Sequence, residues 1–314
     1  MYIGVDLGGT KIAAGLVDDN LKIIKKASCP TNVGRPYSEI IKDIACLIED
    51  ILAQTGYSQS DIKSIGLGSP GVPDIKNGVL VFSNNLQWNF VPVRTELQKY
   101  FNTPVYLDND ANCAAIGEYA AGAAKQYNTT VLVTLGTGIG GGIVLNDKIH
   151  NGFNYAGGEI GHMVIKAGGI PCSCGRDGCW ERYASVTGLI YMANNAAKDH
   201  PESMLAQILN KGEKLNGRNI FDCAKNGDKT ALKVVEDFRY YIAVGITNII
   251  NILQPEAVVV GGGISNEGEY LLAPVREQVA KEVYTDKVPL PHIIKASLGN
   301  DAGIIGAAIV GQYQ

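Results

Sequence analysis

Strong charge is what this chain lacks first. Lys and Arg number 27 against 31 Asp and Glu, for a net charge of −4, and no basic cluster stands out. A face built to hold nucleic-acid phosphates therefore has no basis in the sequence. Long apolar runs are missing as well: none reaches the length of a membrane span. The opening residues, MYIGVDLGGTK, carry neither the basic n-region nor the apolar h-region of a secretory leader, so none is expected. Paired cysteines are also lacking. The total is seven, an odd number, and Cys29, Cys46, Cys113 and Cys223 are scattered. These read as reduced thiols, which points to the cytoplasm. No linker or low-complexity stretch interrupts the chain. Hydrophobic residues at 46% and charged residues at 18% fit a compact globular protein of one large or two ordinary domains.

What is present is glycine, at 38 residues, placed after short apolar runs. Residues 2–7 run into Gly8-Gly9-Thr10-Lys11, followed by IAAGLV and LKIIKKAS. The pattern predicts strand, glycine turn, strand, turn, strand. Apolar residues at 40, 41, 44, 47, 48, 51 and 52 predict a helix over 38–54 with Ser38 as its N-cap. Strands are expected at 62–68, 79–82 and 105–107, with helices at 93–101 and from 110 to about 124. A mainly helical region spans 185–253. A strand at 257–260, a helix at 268–283, a strand at 292–296 and a helix at 303–312 close the chain. Strands alternating with helices make the class α/β.

The opening pattern returns at residue 133. VDLGGTKIAAGLVDDN from Val5 aligns without gaps on VTLGTGIGGGIVLNDK from Val133. A duplicated unit implies two similar α/β domains. The turns Gly8-Gly9-Thr10-Lys11 and Gly136-Thr137-Gly138, with Gly261-Gly262 after a third strand, suit phosphate binding. Glycine lets backbone N–H groups converge on an anion without a Cβ in the way. Asp6, ending the first strand, could hold Mg2+ through water. Gly136-x-Gly138-x-x-Gly141 matches a dinucleotide fingerprint literally, but that motif requires a helix next. Here a strand is expected, so a nicotinamide-dependent oxidoreductase is the rival reading. Ordinary hairpin turns are the bland one.

Between Gly157 and Ser185, His162, Cys172, Cys174 and Cys179 fall within eighteen residues. Three sulfurs and one nitrogen suit a closed, structural zinc site; a buried cysteine cluster with one disulfide is the alternative. Glu159 and Glu181 bracket the group. Asp110 sits where a strand gives way to a helix. A carboxylate there could accept the proton of an attacking hydroxyl in phosphoryl transfer. It could equally serve as a helix N-cap, and Asp108 competes for the catalytic role on the same grounds.

DLGGTK at 6–11, GSPGVPD at 68–74, NNLQW at 84–88, DNDANCAAIGE at 108–118, LGTGIGGG at 135–142, and GGEIGHM with the CSCGRDGCWE cluster together resemble the ROK family of sugar kinases and repressors, most of all its bacterial glucokinases. The likeness covers essentially the whole chain. It implies the actin-like, hexokinase-type ATPase fold, with two RNase-H-like domains around a cleft. The expected division is 1–120, completed by a C-terminal helix at 301–314, and a larger 121–300 carrying the zinc loop. It implies ATP-dependent phosphorylation of a hexose, glucose first, with Mg2+ and structural Zn2+. N-acetylmannosamine, N-acetylglucosamine, mannose, fructose or allose are alternative acceptors. The resemblance selects Asp110 as the base. It places Gly71, Asn85, Asn109, Glu159, His162 and Glu181 on the sugar, with His162 also on the metal. Asp6, Gly8, Gly9, Thr10, Lys11, Thr137, Gly138, Gly261 and Gly262 fall to ATP and its Mg2+. A homo-oligomer, dimer or tetramer, is also implied. The family includes sugar-responsive repressors with an N-terminal helix-turn-helix, for which a strand starting at Tyr2 would leave no room.

Overall fold

The computed structural model describes all 314 residues. β1 (Tyr2–Leu7), β2 (Lys11–Val17) and β3 (Ile23–Pro30) form an antiparallel meander, with Asp6 opposite Ala13 and Leu7 opposite Ile12. Ile3, Val5 and Leu7 are fully buried. α1 (Tyr37–Thr55) buries Ile40, Ile41, Ile44, Ile48 and Ile51, as its spacing predicts, and ends on Gly56 in the left-handed region at φ 73°. Ser38 is not its cap. The helix begins one residue earlier, after Pro36, and no side chain caps it. Proline fixes φ near the helical value, so helix entry here is set by backbone geometry.

β4 (Ser64–Ser69) pairs parallel with β1. β5 (Val72–Asp74), β6 (Val79–Ser83) and β7 (Trp88–Val91) make a separate antiparallel sheet. α2 (Val93–Leu97) is shorter than the expected 93–101. β8 (Val105–Asn109) pairs parallel with β4 and runs straight into α3 (Asp110–Ala121). Then follow β9 (Thr129–Leu135), β10 (Ile139–Leu145) and β11 (Lys148–Ile149). The helical region is α4 (Glu181–Ala184), α5 (Val186–Asp199), α6 (Met204–Asn210), α7 (Gly217–Lys225) and α8 (Lys229–Leu253). β12 (Ala257–Gly261), α9 (Glu269–Glu282), β13 (His292–Lys295) and α10 (Ala302–Ile309) complete the chain. No helix is long and apolar enough to cross a membrane.

One five-stranded sheet has the order β3-β2-β1-β4-β8, the other β11-β10-β9-β12-β13. Position for position these are the same topology. β9 and β10 stand where β1 and β2 stand, so the alignment of Val5 on Val133 has a structural counterpart. By packing, one compact unit comprises Met1–Leu132, Gly141–Gly158 and Ala296–Gln314, and a second comprises Val133–Gly140 and Glu159–Lys295.

Within the first unit, α10 lies directly on backbone. A Cβ on Gly66 of β4 would sit 1.7 Å from the Ala307 carbonyl oxygen. One on Gly306 would sit 1.6 Å from that of Cys113 in α3. Only glycine permits such approach.

Candidate active site

In the first unit the predicted residues gather at the carboxyl ends of β1, β4 and β8. The β1–β2 turn closes through Gly8 N–H to the Lys11 carbonyl at 2.9 Å. Thr31 at the end of β3 fastens it, donating its hydroxyl to the Gly8 carbonyl at 2.7 Å and its N–H to that of Thr10 at 3.0 Å. Thr10 and Lys11 are exposed. Gly9 lies beside Asn85: a Cβ there would be 3.3 Å from the Asn85 carbonyl oxygen. The expected phosphate turn and an expected sugar contact are thus neighbours. The loop carrying Asn84 and Asn85, both exposed, is anchored by buried Leu86, whose N–H donates to Ser83 Oγ at 3.4 Å.

Gly71, at φ 112°, would drive a Cβ to within 2.0 Å of the Phe82 carbonyl oxygen. Its own carbonyl accepts from Asn109 Nδ2 at 3.1 Å. Asn109 Oδ1 in turn accepts the N–H groups of Ala111 at 2.8 Å and Asn112 at 3.4 Å. The N-cap of α3 is therefore Asn109, not Asp110, and the competing capping role of Asp110 goes to its neighbour. Asp110 is the first helical residue, and its carboxylate takes the Ala111 N–H at 2.9 Å. Burial raises its carboxyl above the usual range, opposed by that N–H. Burial likewise lifts Asp6 to about 6, helped by the charge of Asp110 and opposed by Lys11. Two carboxylates that resist ionising together offer a fit for a hard divalent cation.

Asp108, the competitor, is fully buried. Burial raises it, but four donors face it: Asn112 Nδ2 at 2.8 Å, Asn109 N–H at 2.7 Å, Gln314 Nε2 at 3.4 Å and Asn151 Nδ2 at 3.2 Å. A carboxylate so enclosed has no face left for a substrate proton.

In the second unit Gly136 N–H donates to the Gly138 carbonyl at 3.0 Å. The start of α5 holds this turn: Val186 N–H reaches the Gly136 carbonyl at 2.9 Å and Thr187 Oγ1 that of Thr137 at 2.7 Å. The backbone after the turn is β10, a strand, so the dinucleotide fingerprint lacks its helix. Gly262, at φ 84°, approaches the end of β9, where a Cβ would fall 2.3 Å from the Leu135 carbonyl oxygen. Gly262, which follows Gly261 at the end of β12, therefore lies beside the end of β9. A Cβ on Gly138 would meet Glu181 Oε2 at 2.5 Å, so a predicted nucleotide glycine touches a predicted sugar carboxylate.

His162, Cys172, Cys174 and Cys179 bring their ligand atoms within 4.8 Å of one another. Cys172 Sγ is 3.6 Å from His162 Nδ1, and Cys174 Sγ is 3.5 Å from Cys179 Sγ. A tetrahedron with zinc–sulfur bonds of about 2.3 Å has edges of about 3.8 Å, so the donor set fits zinc. The sulfurs are too far apart for a disulfide, and all seven cysteines are free. Burial pushes the Cys179 thiol up to about 12 and raises Cys172, whereas the Arg176 backbone N–H lowers Cys174. Cys172 Sγ also lies 3.1 Å from Glu181 Oε1, and His162 Nδ1 lies 3.7 Å from the same oxygen. The cysteine loop and Glu181 are one cluster. Glu159 is exposed and starts the short turn to His162, whose N–H donates to the Glu159 carbonyl at 3.1 Å.

Trp180 gave no sequence signal beyond lying between Cys179 and Glu181. It is fully buried, donates Nε1 to the Tyr241 carbonyl at 2.7 Å, and sits where Gly245 leaves no side chain, a Cβ there meeting its ring at 1.9 Å. It fixes the base of the loop to α8.

The ROK family sequence profile matches residues 2–313. A glucokinase of Halalkalibacterium halodurans is 40% identical over 97% of this chain and 93% of its own. A xylose repressor of Bacillus spizizenii is 31% identical over 98% of this chain and 76% of its own. Among solved structures, a ROK family glucokinase from Streptomyces griseus in complex with glucose and AMPPNP superposes with a TM-score of 0.83, at 32% identity over 98% of each chain.

Proposed function

Because the chain belongs to the ROK family and has its α/β, actin-like ATPase fold, we propose that it is an ATP-dependent hexokinase that phosphorylates glucose on its 6-hydroxyl. The observation that carries the reading is Asp110. Its carboxyl stands at the end of a strand with its neighbour Asn109 already fixed by the Gly71 carbonyl and the helix N–H groups. The glucokinase relative and the solved complex with glucose and AMPPNP support the acceptor and the donor.

In the proposed step the sugar O6–H gives its proton to Asp110 as the O6–Pγ bond forms. The bond from Pγ to the β–γ bridging oxygen breaks, and ADP leaves with that electron pair. Gly71, Asn85, Asn109, Glu159, His162 and Glu181 hold the sugar hydroxyls. A site made of so many paired donors and acceptors rejects analogues that leave one unpaired. Gly8, Gly9, Thr10, Lys11, Thr137 and Gly138 cradle the phosphates, with Gly261 and Gly262 toward the adenosine. Asp6 would hold Mg2+, which neutralises triphosphate charge when bound. His162, Cys172, Cys174 and Cys179 would hold zinc, which would fix the loop bearing Glu159 and Glu181. His162 Nδ1 faces the thiols, which leaves Nε2 for a sugar hydroxyl. The family likeness supports a homo-oligomer, and the free cysteines support a reducing cytoplasm.

ADP release with Mg-ATP across a panel of hexoses and N-acetylhexosamines tests this, with Asp110→Asn as control. We expect glucose-dependent turnover in the wild type and a loss of at least about 1,000-fold in the variant. Near-normal turnover in Asp110→Asn would remove it as the base. The similarity to the xylose repressor favours a second reading, a sugar-responsive regulator. Calorimetric sugar binding without turnover would select it.

A further inference from the structure

Asn112 is assigned no contact with a substrate above, yet it is 2% exposed and its Oδ1 has no partner. An unpaired buried acceptor costs about 1–3 kcal/mol, so its surroundings matter. The other end of the same amide is fully used. Nδ2 donates to Asp108 Oδ1 at 2.8 Å and to Asn151 Oδ1 at 2.5 Å. Asn151 closes the circuit, donating Nδ2 to Asp108 Oδ2 at 3.2 Å. Three side chains form a ring, and Gln314 Nε2 braces it from the Leu107 carbonyl at 2.9 Å.

The ring joins two places that matter. Asp108 and Asn112 flank Asn109 and Asp110, and Asp108 Oδ1 also accepts the Asn109 N–H. Asn151 opens the loop that leads to Glu159. Its carbonyl accepts the Gly157 N–H at 2.9 Å, so both ends of the loop meet at this residue. The loop has little else to hold it. Gly152, Phe153 and Asn154 are exposed, Phe153 at 97%. The unpaired Asn112 Oδ1 faces Gly158, where a Cβ would lie 3.8 Å from it. Gly158 immediately precedes Glu159.

We propose that Asn112 and Asn151 are positioning residues for sugar binding: through their ring with Asp108 they fasten the 151–158 loop, and hence the chain entering Glu159, to the strand end that carries Asn109 and Asp110. The inference rests on the kinase reading for the roles of Glu159 and Asp110. Four donors converge on Asp108 and none of its oxygens is left to donate, so the ring requires the ionised carboxylate and two amides. Both asparagines act through their neighbours, without contact to the sugar.

The test measures ADP release against glucose and against Mg-ATP separately, with calorimetric glucose titration in the absence of nucleotide, for wild type, Asn151→Ala, Asn112→Ala and the double variant. Asn151→Ala is expected to raise the glucose KM and Kd about tenfold while the ATP KM stays within about twofold. The double variant should be no worse than Asn112→Ala, since one ring is broken in either. An unchanged glucose Kd in Asn151→Ala, or equal rises in both KM values, overturns the proposal; so does additivity in the double variant. Asn151 is only partly buried, so its variant decides the matter even if Asn112→Ala fails to fold. A wild type that binds sugar without turnover would refute the kinase reading alone, and the Kd comparison would still judge the ring.

Discussion

Asp6, Asp108 and Asp110 are chemically identical and separated only by their neighbours. Asp108 is surrounded by side-chain donors, Asp110 meets backbone N–H groups alone, and Asp6 has a like charge beside it. For Asp6 the consequence is measurable. Its folded value of about 6 lies above the ordinary 3.8, so the folded chain binds the proton more tightly than the unfolded one. Protonation therefore favours folding, and that advantage is lost as pH rises from 3.8 through about 6. Asp6→Asn removes the charge outright. It should stabilise the metal-free protein at pH 8 by about 1–3 kcal/mol, and by less at pH 5; melts at both values check this. A variant less stable at pH 8 than the wild type would count against the burial penalty. The sequence showed that carboxylates stand at strand ends, but not which one is enclosed. That depends on Asn151 and Gln314, 43 and 206 residues away from Asp108. The capping role moved from Asp110 to Asn109 because β8 runs two residues past the expected 107, to Asn109.

Elements with a strong period were legible. α1 came from its apolar spacing, and the glycine turns came from apolar runs that stop at Gly8 and Gly136. α2 ends early because 98–101 adds only Phe101 to the core while Lys99 and Tyr100 face solvent. The clustering of His162, Cys172, Cys174 and Cys179 was readable from their spacing alone, whereas the support of that loop by Trp180 and Gly245 was not, since those residues lie 65 apart in sequence. Cys172→Ser should lower the zinc content of freshly purified protein well below one per chain and raise the glucose KM through Glu181. Elemental analysis decides it, and a wild type without zinc would sink the claim. The seating of α10 on backbone predicts that Gly306→Ala costs about 3 kcal/mol. Gly263→Ala, where a Cβ meets nothing within 4 Å, should stay within about 0.5 kcal/mol. Denaturant titration of the pair reads the contrast, and equal midpoints would contradict the packing.

At the scale of the molecule, the repeat at Val5 and Val133 announced two sheets of one topology, and both are there. The strands added to each copy, β4 and β8 or β12 and β13, share no visible motif, because a parallel core strand needs only a short apolar run. If the sugar binds the folded chain alone, glucose at about 100 times its Kd should stabilise it by about 2.7 kcal/mol. A thermal melt should then rise by several degrees, and the absence of any shift across the hexose panel would leave the acceptor site unsupported.

α10 also fixes when the first unit can be finished. Its sheet and α3 are complete by residue 121, but the helix that covers Gly4 and Gly66 begins at Ala302. At roughly 5–20 residues per second of synthesis, the interval is about 10–40 s. Throughout it, a sheet face of glycine backbone with Tyr2, Ala13 and Val17 waits uncovered while the second unit is made. A ribosome that pauses after β13 leaves that face without the helix that covers it. The glycines that give the finished protein its tight contact thus leave the nascent one with an apolar sheet face that closes only when the last helix arrives.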